Sequence, residues 1–186
     1  KSMTSYAELV AWLAACGTRR NETVVAFGGG VIGDLVGFVA ATYMRGIDLI
    51  QIPTTLLAMV DSSVGGKVGI DLPEGKNLLG SFKPPTALYV CPETLSTLPE
   101  RQFRNGMAEV LKYGFIGDSR LVDELEQNPP SATSPQLESL VRKCIKMKQS
   151  VVERDEYETT GLRATLNFGH TVGHAIEAVA GYGRYT

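Results

Sequence analysis

The run TVVAFGGGVIGDLVGFVAATYM, residues 23–44, limits the possible folds more than any other part of the chain. A short β-branched stretch, Thr23 to Phe27, meets Gly28, Gly29 and Gly30 and passes at once into a helix-like stretch from Val31. Short apolar runs of this kind are buried parallel strands, and parallel strands need crossover helices. An α/β layer is therefore expected. Its most apolar part, VIGDLVGFVAATYM, holds Asp34, Gly33 and Gly37 and stops at Arg45, so it falls short of the roughly 20 apolar residues that a membrane span requires.

A strand, a glycine loop and a helix N-terminus together let a backbone approach a pyrophosphate, because the loop lacks Cβ atoms and the helix end offers free N–H groups. The same residues serve a plain strand-to-helix turn. The spacing is not GxGxxG, and no acidic residue ends a preceding strand to hold a ribose.

The neighbouring segments continue the alternation. Leu9, Val10, Leu13 and Ala14 recur at helical spacing after Ser5, with Gly17 as the stop; DLIQIP reads as a strand, TLLAMVDSS as a short helix, and KVGID and ALYVC as extended pieces. From Pro99 onward PERQFRNGMAEVLKYGFI, SRLVDELEQ, LESLVRKCIKMKQSVVERD and GHTVGHAIEAVAGYG are all helical in period, separated by the turn-rich NPPSATSPQ and YETTG. The chain is thus expected to be α/β over residues 1–97 and all-α over residues 98–186, with the boundary near Thr97 to Pro99.

Eighteen Lys and Arg against 20 Asp and Glu, a net charge of -2, leave no field to draw nucleic acid or an anionic membrane. Any anion must be held by a local cluster. Cys16, Cys91 and Cys144 are odd in number and show no CxxC spacing, which argues against a disulfide framework or zinc ribbon. The opening segment is amphipathic and lacks a cleavage pattern, so the cytoplasm is the expected location.

Several clusters carry candidate chemistry. VDSSVGGKVGIDLPEGKNLLGSFKPP sets Asp61, Lys67, Lys76 and Asn77 among glycines and prolines; lysines in such turns are commonly solvated, but GKN places a cation beside an amide donor, as a phosphoryl group requires. Arg45 adds a cation, or is an exposed helix-end arginine. His170 and His174 are the chain's only histidines and share one helical face at four-residue spacing. They can converge on one ion, or form a surface pair without a ligand. Asn167 is placed to cap their helix. Glu109, in GMAEVLKYG, is the best remote carboxylate for a metal, because an unpaired acid on that apolar stretch would be costly. Lys112 shares its face, and Lys148 and Arg163 complete a possible cationic set.

These segments in this order, GGGVIGDLVGFVAATYMRG, QIPTTLLAMVDSSVGGKVGID, GKNLLGSF, NGMAEVLKYG and GLRATLNFGHTVGHAIEAVAGYG, closely resemble the 3-dehydroquinate synthase family across most of Phe27 to Gly183. The resemblance implies the later part of a Rossmann-like NAD-binding domain followed by the first part of an α-helical metal-binding domain, in a cytoplasmic homodimer. It also implies conversion of an acidic seven-carbon sugar phosphate into 3-dehydroquinate, with NAD and zinc or cobalt. By it, the NAD phosphates meet Gly29, Gly30, Val31, Ile32, Gly33 and Asp34. Thr54 and Thr55 line that site, and Thr94, Leu95, Ser96 and Thr97 close over it. Lys67 and Lys76 lie where cofactor and substrate meet, with Asp61 near the nicotinamide. Glu109 and His170 match metal ligands, whereas His174 matches a substrate-facing residue, against the reading from spacing alone. Lys67, Asn77, Asn167 and His174 match groups around the substrate phosphate; Lys112, Lys148 and Arg163 match other substrate contacts; and Arg45 is expected to reach across the dimer. The family's third metal ligand is a histidine in an HGE motif after GYG, where this chain reads GYGRYT. The chain is therefore expected to be an internal fragment, inactive by itself. Sister cyclases that make 2-deoxy-scyllo-inosose or 2-epi-5-epi-valiolone share the glycine loop and metal ligands, and GKN, Arg163 and Asn167 favour the acidic substrate. A metal-dependent polyol or alcohol dehydrogenase, and a non-enzymatic nucleotide-binding or dimerising module, are the remaining alternatives.

Overall fold

The computed structural model describes residues 1–181. Helix α1, Met3–Ala15, starts at Ser2, whose hydroxyl accepts from the Ser5 N–H, the usual remedy for an orphan first-turn donor. Strand β1, Thr23–Gly28, leads into α2, Gly30–Thr42, and β2, Asp48–Pro53, pairs parallel to β1 from Thr23↔Asp48 to Gly28↔Pro53. A short β5, Ala87–Leu88, joins the other edge of β2, giving the order β1-β2-β5. The parallel α/β layer expected from the glycine run is present, although ALYVC pairs only over its first residues.

Helix α2 is apolar on opposite sides because it is sandwiched. Val39 and Ala40 pack with Leu13, Ala26 and Leu49 under the sheet, while Leu35 and Phe38 pack with Val68 and Ile70 of a separate hairpin. In that hairpin β3, Lys67–Leu72, is the extended piece expected of KVGID, while its partner β4, Gly75–Phe82, corrects the reading of GKNLLGSF as turns. GKNLLGSF is a strand whose glycines admit close approach: a Cβ on Gly80 would lie 2.3 Å from the Val68 carbonyl oxygen. Glycine and lysine content hid it, since both are poor strand formers.

The remaining elements are helical: α3 Glu100–Gly117, α4 Ser119–Gln127, α5 Leu137–Arg154 and α6 His170–Ala180, with 3-10 turns Pro92–Thr97 and Leu162–Asn167. Their core contains Phe103, Val110, Tyr113, Leu121, Leu140 and Cys144, and also Leu56, Met59, Val60 and Leu95 from before residue 97. Leu56, Met59 and Val60 belong to a segment that ends in a π-helical turn, Ala58–Ser62. This plug of fully buried side chains, each contributing about 1.5–3 kcal/mol by leaving water, fastens the segment after β2 to the helices. π-turns are rare and concentrate at functional sites. No described helix is long and apolar enough to cross a membrane.

Candidate active site

The π-turn points Asp61 into the seam between α3 and α5. There Asp61 Oδ1 lies 2.8 Å from Lys148 Nζ and 3.8 Å from Lys112 Nζ, and Lys148 also donates to the Asp61 carbonyl at 2.5 Å. Lys112 pairs with Glu109 one turn earlier on α3, and Glu109 Oε1 is 3.9 Å from His170 Nε2 at the start of α6. Lys148, Asp61, Lys112, Glu109 and His170 thus form one line of groups in which lysines alternate with carboxylates. Lys112 and Lys148 are buried, and buried ammonium groups are tolerated when each faces a carboxylate. Burial would raise the Asp61 carboxyl, but the Lys148 and Lys112 charges, with bonds from Lys148 and Tyr113, outweigh it and hold the group below the usual carboxylate range. Burial pulls Lys148 below the usual lysine range against the support of Asp61.

The sequence reading missed Tyr113. Its side chain is fully buried, and its hydroxyl donates to the Val60 carbonyl at 2.9 Å and reaches Asp61 Oδ1 at 3.3 Å. Burial pushes its phenol well above the ordinary tyrosine range, so the proton stays on as a donor. The available signal was its position four residues after Glu109, on the same face of α3.

The donor set fits a divalent cation in part. Metal–oxygen and metal–nitrogen distances of about 2.1 Å allow one ion to join donors up to about 4 Å apart, which includes the Glu109–His170 pair at 3.9 Å. His170 Nδ1 lies 3.4 Å from the Phe168 carbonyl. A proton on Nδ1 satisfies that oxygen and leaves the Nε2 lone pair facing Glu109, an arrangement common among metal-binding histidines. Among the described residues no group of three or more His, Cys, Asp or Glu side chains gathers to complete such a site. His174 is exposed, with its ring centroid 5.5 Å from that of His170. Asn167 does not cap α6: it ends the preceding 3-10 turn, and the cap is Gly169 at φ 82°. A left-handed residue supplies the sharp entry that the side-chain cap was expected to give.

At the glycine loop, Gly29 caps α2 with no side-chain hydrogen bond and its carbonyl accepts from the Ile32 and Gly33 N–H groups, which leaves the Gly30 and Val31 N–H groups at the helix start to face an anion. The glycines also serve packing, since a Cβ on Gly29 would lie 2.9 Å from Thr55 Cγ2 and one on Gly30 2.8 Å from Ser62 Oγ. Thr54 N–H donates to the Gly28 carbonyl, and Thr55 Oγ1 accepts from the Ala58 N–H, capping the segment that carries the π-turn. Val31 and Ile32 are exposed on the first turn of α2, and Gly33 packs near Gln51. Burial raises the Asp34 carboxyl, although Lys1 pairs with it; Lys1 also donates to Asn77 Oδ1.

The hairpin lysines face the helical half. Lys67 pairs with Glu158 at 2.5 Å, and Lys76 with Glu177 of α6 at 2.6 Å. Arg163 is buried, donating to the Glu156 carbonyl at 2.7 Å and reaching the Gly65 carbonyl at 3.4 Å. On the Pro92–Thr97 turn the Thr94 hydroxyl donates to the Cys91 carbonyl just before it, and the Ser96 and Thr97 hydroxyls donate to the Glu93 and Thr94 carbonyls, while the Leu95 side chain is sealed in the helical core, leaving its backbone as the part that can meet a ligand. Arg45 is exposed at φ 67°, past the far end of the 13-residue α2, about 20 Å from the glycine loop. Gly183 of the quoted GYG lies outside the described residues.

Comparison with known proteins covers the whole chain. The family model described as 3-dehydroquinate synthase N-terminal matches residues 1–105, and that described as 3-dehydroquinate synthase C-terminal matches residues 106–186. The chain is 54% identical over 187 residues to the 3-dehydroquinate synthase of Opitutus terrae, covering all of this chain and 52% of that one. It is 55% identical over 172 residues to that of Geobacter metallireducens, covering 91% of this chain and 48% of that one. It therefore spans about half the length of the curated relatives it matches. Among solved structures, a 2-deoxy-scyllo-inosose synthase complexed with carbaglucose-6-phosphate, NAD+ and Co2+ superposes with a TM-score of 0.90 at 36% identity, over all of this chain and 52% of that one. A 2-epi-5-epi-valiolone synthase from Streptomyces hygroscopicus with NAD+ and Zn2+ bound gives 0.88 at 32% identity, over 99% and 52%. A probable glycerol dehydrogenase from Sinorhizobium meliloti, at a TM-score of 0.61 and 15% identity, shares the fold over 82% of this chain and 50% of that one. The alternating lysines and carboxylates at the α3–α5 seam and the matches along the whole chain lead to one assignment: the chain belongs to the 3-dehydroquinate synthase family.

Proposed function

We propose that the protein carrying this chain is a 3-dehydroquinate synthase, converting 3-deoxy-D-arabino-heptulosonate 7-phosphate into 3-dehydroquinate and phosphate in the cytoplasm, as a homodimer. The observation that carries this reading is the line from Lys148 through Asp61, Lys112 and Glu109 to His170. It sets cations for an anionic substrate beside a carboxylate and an imidazole suited to a divalent ion.

NAD at the α2 N-terminus, and zinc or cobalt at Glu109 and His170, supply reversible hydride transfer and polarisation of a substrate oxygen when bound. The chain's own residues bind and orient. Lys67, Asn77, Asn167 and His174 hold the phosphate, and Lys112, Lys148 and Arg163 hold the rest of the acidic substrate. Asp61 faces both Lys112 and Lys148 and fixes them at the seam. Arg45, past the far end of α2 and about 20 Å from the glycine loop, is read as a group that acts across a dimer. The lyase assignment follows from phosphate leaving by elimination, and the chain by itself is expected to turn over little substrate.

A sister cyclase is the second reading, favoured by the TM-scores above; identity of 54% to the Opitutus terrae synthase against 36% to the solved inosose synthase favours the first. The test is a chimera in which residues 1–186 replace the matching segment of the Opitutus terrae enzyme, supplied with each class of sugar phosphate. Formation of 3-dehydroquinate with equimolar phosphate is expected. An inosose or valiolone ring as the main product, or NADH released in step with oxidation, would overturn the assignment.

A further inference from the structure

Asp155 is not among the groups expected to meet substrate, yet it is buried at 3% exposure directly after α5. Its carboxylate accepts from the backbone N–H groups of Thr160, at 2.9 Å, and Arg163, at 3.1 Å. Those bonds hold the carboxyl down at about 2. They also close the segment between them into a loop with almost no core of its own: residues 156–161 are exposed, Tyr157 at 61%. What the loop does contain are partners of cations. Its Glu156 carbonyl accepts from Arg163, and Glu158, at φ 57°, pairs with Lys67.

Arg163 then reaches out of the loop to the hairpin. Its guanidinium lies against Gly65 so closely that a Cβ there would be 2.6 Å from Nη2, and it stands 6.0 Å from the centre of the Phe82 ring. Gly65 and Gly66 immediately precede Lys67.

We propose that Asp155 is a positioning residue that fixes the 155–163 loop and, through it, sets Arg163 and Lys67 for the anionic substrate. This rests on the synthase reading for what the two cations bind, but the mechanical link does not. An acceptor that ties down two N–H groups of an exposed loop adds little to the core, so its loss should misplace the cations without unfolding the helices. Misplacement of a binding group by about 1 Å is enough to lower rates or affinity by one to two orders of magnitude.

The test has two arms. In residues 1–186, Asp155→Asn presents an N–H-bearing amide to donors that need an acceptor. Amide hydrogen exchange at Thr160 and Arg163 is expected to quicken by about tenfold or more, while the helices stay folded and the melting midpoint falls by only a few degrees. Unchanged exchange overturns the proposal. So does loss of folding in both Asp155→Asn and Asp155→Glu, which would make Asp155 a folding residue. In the chimera, Asp155→Asn is expected to raise the KM for the acidic sugar phosphate about tenfold with kcat within about threefold, and Asp155→Glu to recover part of it. A fall in kcat at unchanged KM overturns the positioning role. An inactive parent chimera sinks the synthase reading instead, and the exchange arm then decides the link from Asp155 to Arg163.

Discussion

Replacing Gly106 by Ala tests whether α3 is seated where the site needs it. Gly106 is buried one turn before Glu109, where α3 crosses the start of the π-turn segment. A Cβ there would lie 2.6 Å from Leu57 N, 2.6 Å from Leu56 Cβ and 2.8 Å from Leu56 Cγ. Carbon contacts relax near 3.5 Å, so α3 would have to retreat by about 1 Å. One obstacle is backbone, which cannot rotate aside. Overpacking of this kind costs about 2–3 kcal/mol. Against it stands the helix propensity of Ala over Gly, worth about 1 kcal/mol. The clash prevails, leaving a net loss of about 1–2 kcal/mol and a melting midpoint lowered by roughly 2–8 °C in a chain of this size. Circular dichroism melts of both forms measure it. Gly173 of α6 is the control: it has nothing within 4 Å of its would-be Cβ, so Gly173→Ala should stabilise by about 0.4–1 kcal/mol. A Gly106→Ala variant that melts at or above the parent would refute the close crossing. Retreat of α3 would also lengthen the 3.8 Å Lys112–Asp61 separation and the 2.9 Å Tyr113–Val60 bond.

Other consequences can be measured in the same chain. Glu109→Gln and His170→Ala should each weaken Co2+ binding about tenfold or more, read from the visible absorption of the ion, and equal binding by all three forms would remove both residues from the metal site. Asp61→Ala leaves buried Lys148 and Lys112 short of a counter-ion and should destabilise by about 3 kcal/mol in urea unfolding; a loss under about 1 kcal/mol would mean that the lysines find other partners. Because the Asp155 carboxyl is depressed to about 2, its contribution is complete above the unfolded value of about 3.9 and fades as pH falls toward 2. The stability gap between parent and Asp155→Asn should therefore be flat from about pH 5 to 8 and close in acid. Burial raises the Cys144 thiol to about 12, while Cys16 and Cys91 are exposed; a thiol reagent should titrate those two natively and Cys144 on denaturation.

The fold was legible wherever local pattern and tertiary role agreed. The apolar run of β1, the glycine turn and the periodicity of α3, α4 and α5 are short-range signals, and each element stands where its residues put it. GKNLLGSF was illegible because its glycines let strands approach rather than favouring extension, a property that exists once a partner strand is present. Asn167 looked like a cap by residue type, whereas the positive φ of Gly169 decided where α6 begins.

In the site, residue chemistry could nominate Glu109, His170 and the lysines, and family resemblance could order them. Tyr113 shows in the sequence only its place one turn after Glu109, and Asp155 carries no local signature, since a buried hydroxyl or carboxylate acquires its role from the donors and acceptors that packing brings to it. Amino-acid order alone thus determined the α/β-to-helical succession and the supply of cations, carboxylates and imidazoles. Tertiary structure alone decided that Lys148, Asp61, Lys112, Glu109 and His170 stand in one line, because Coulomb and hydrogen-bond interactions act over a few ångströms and separations of up to 109 residues along the chain carry no information about them.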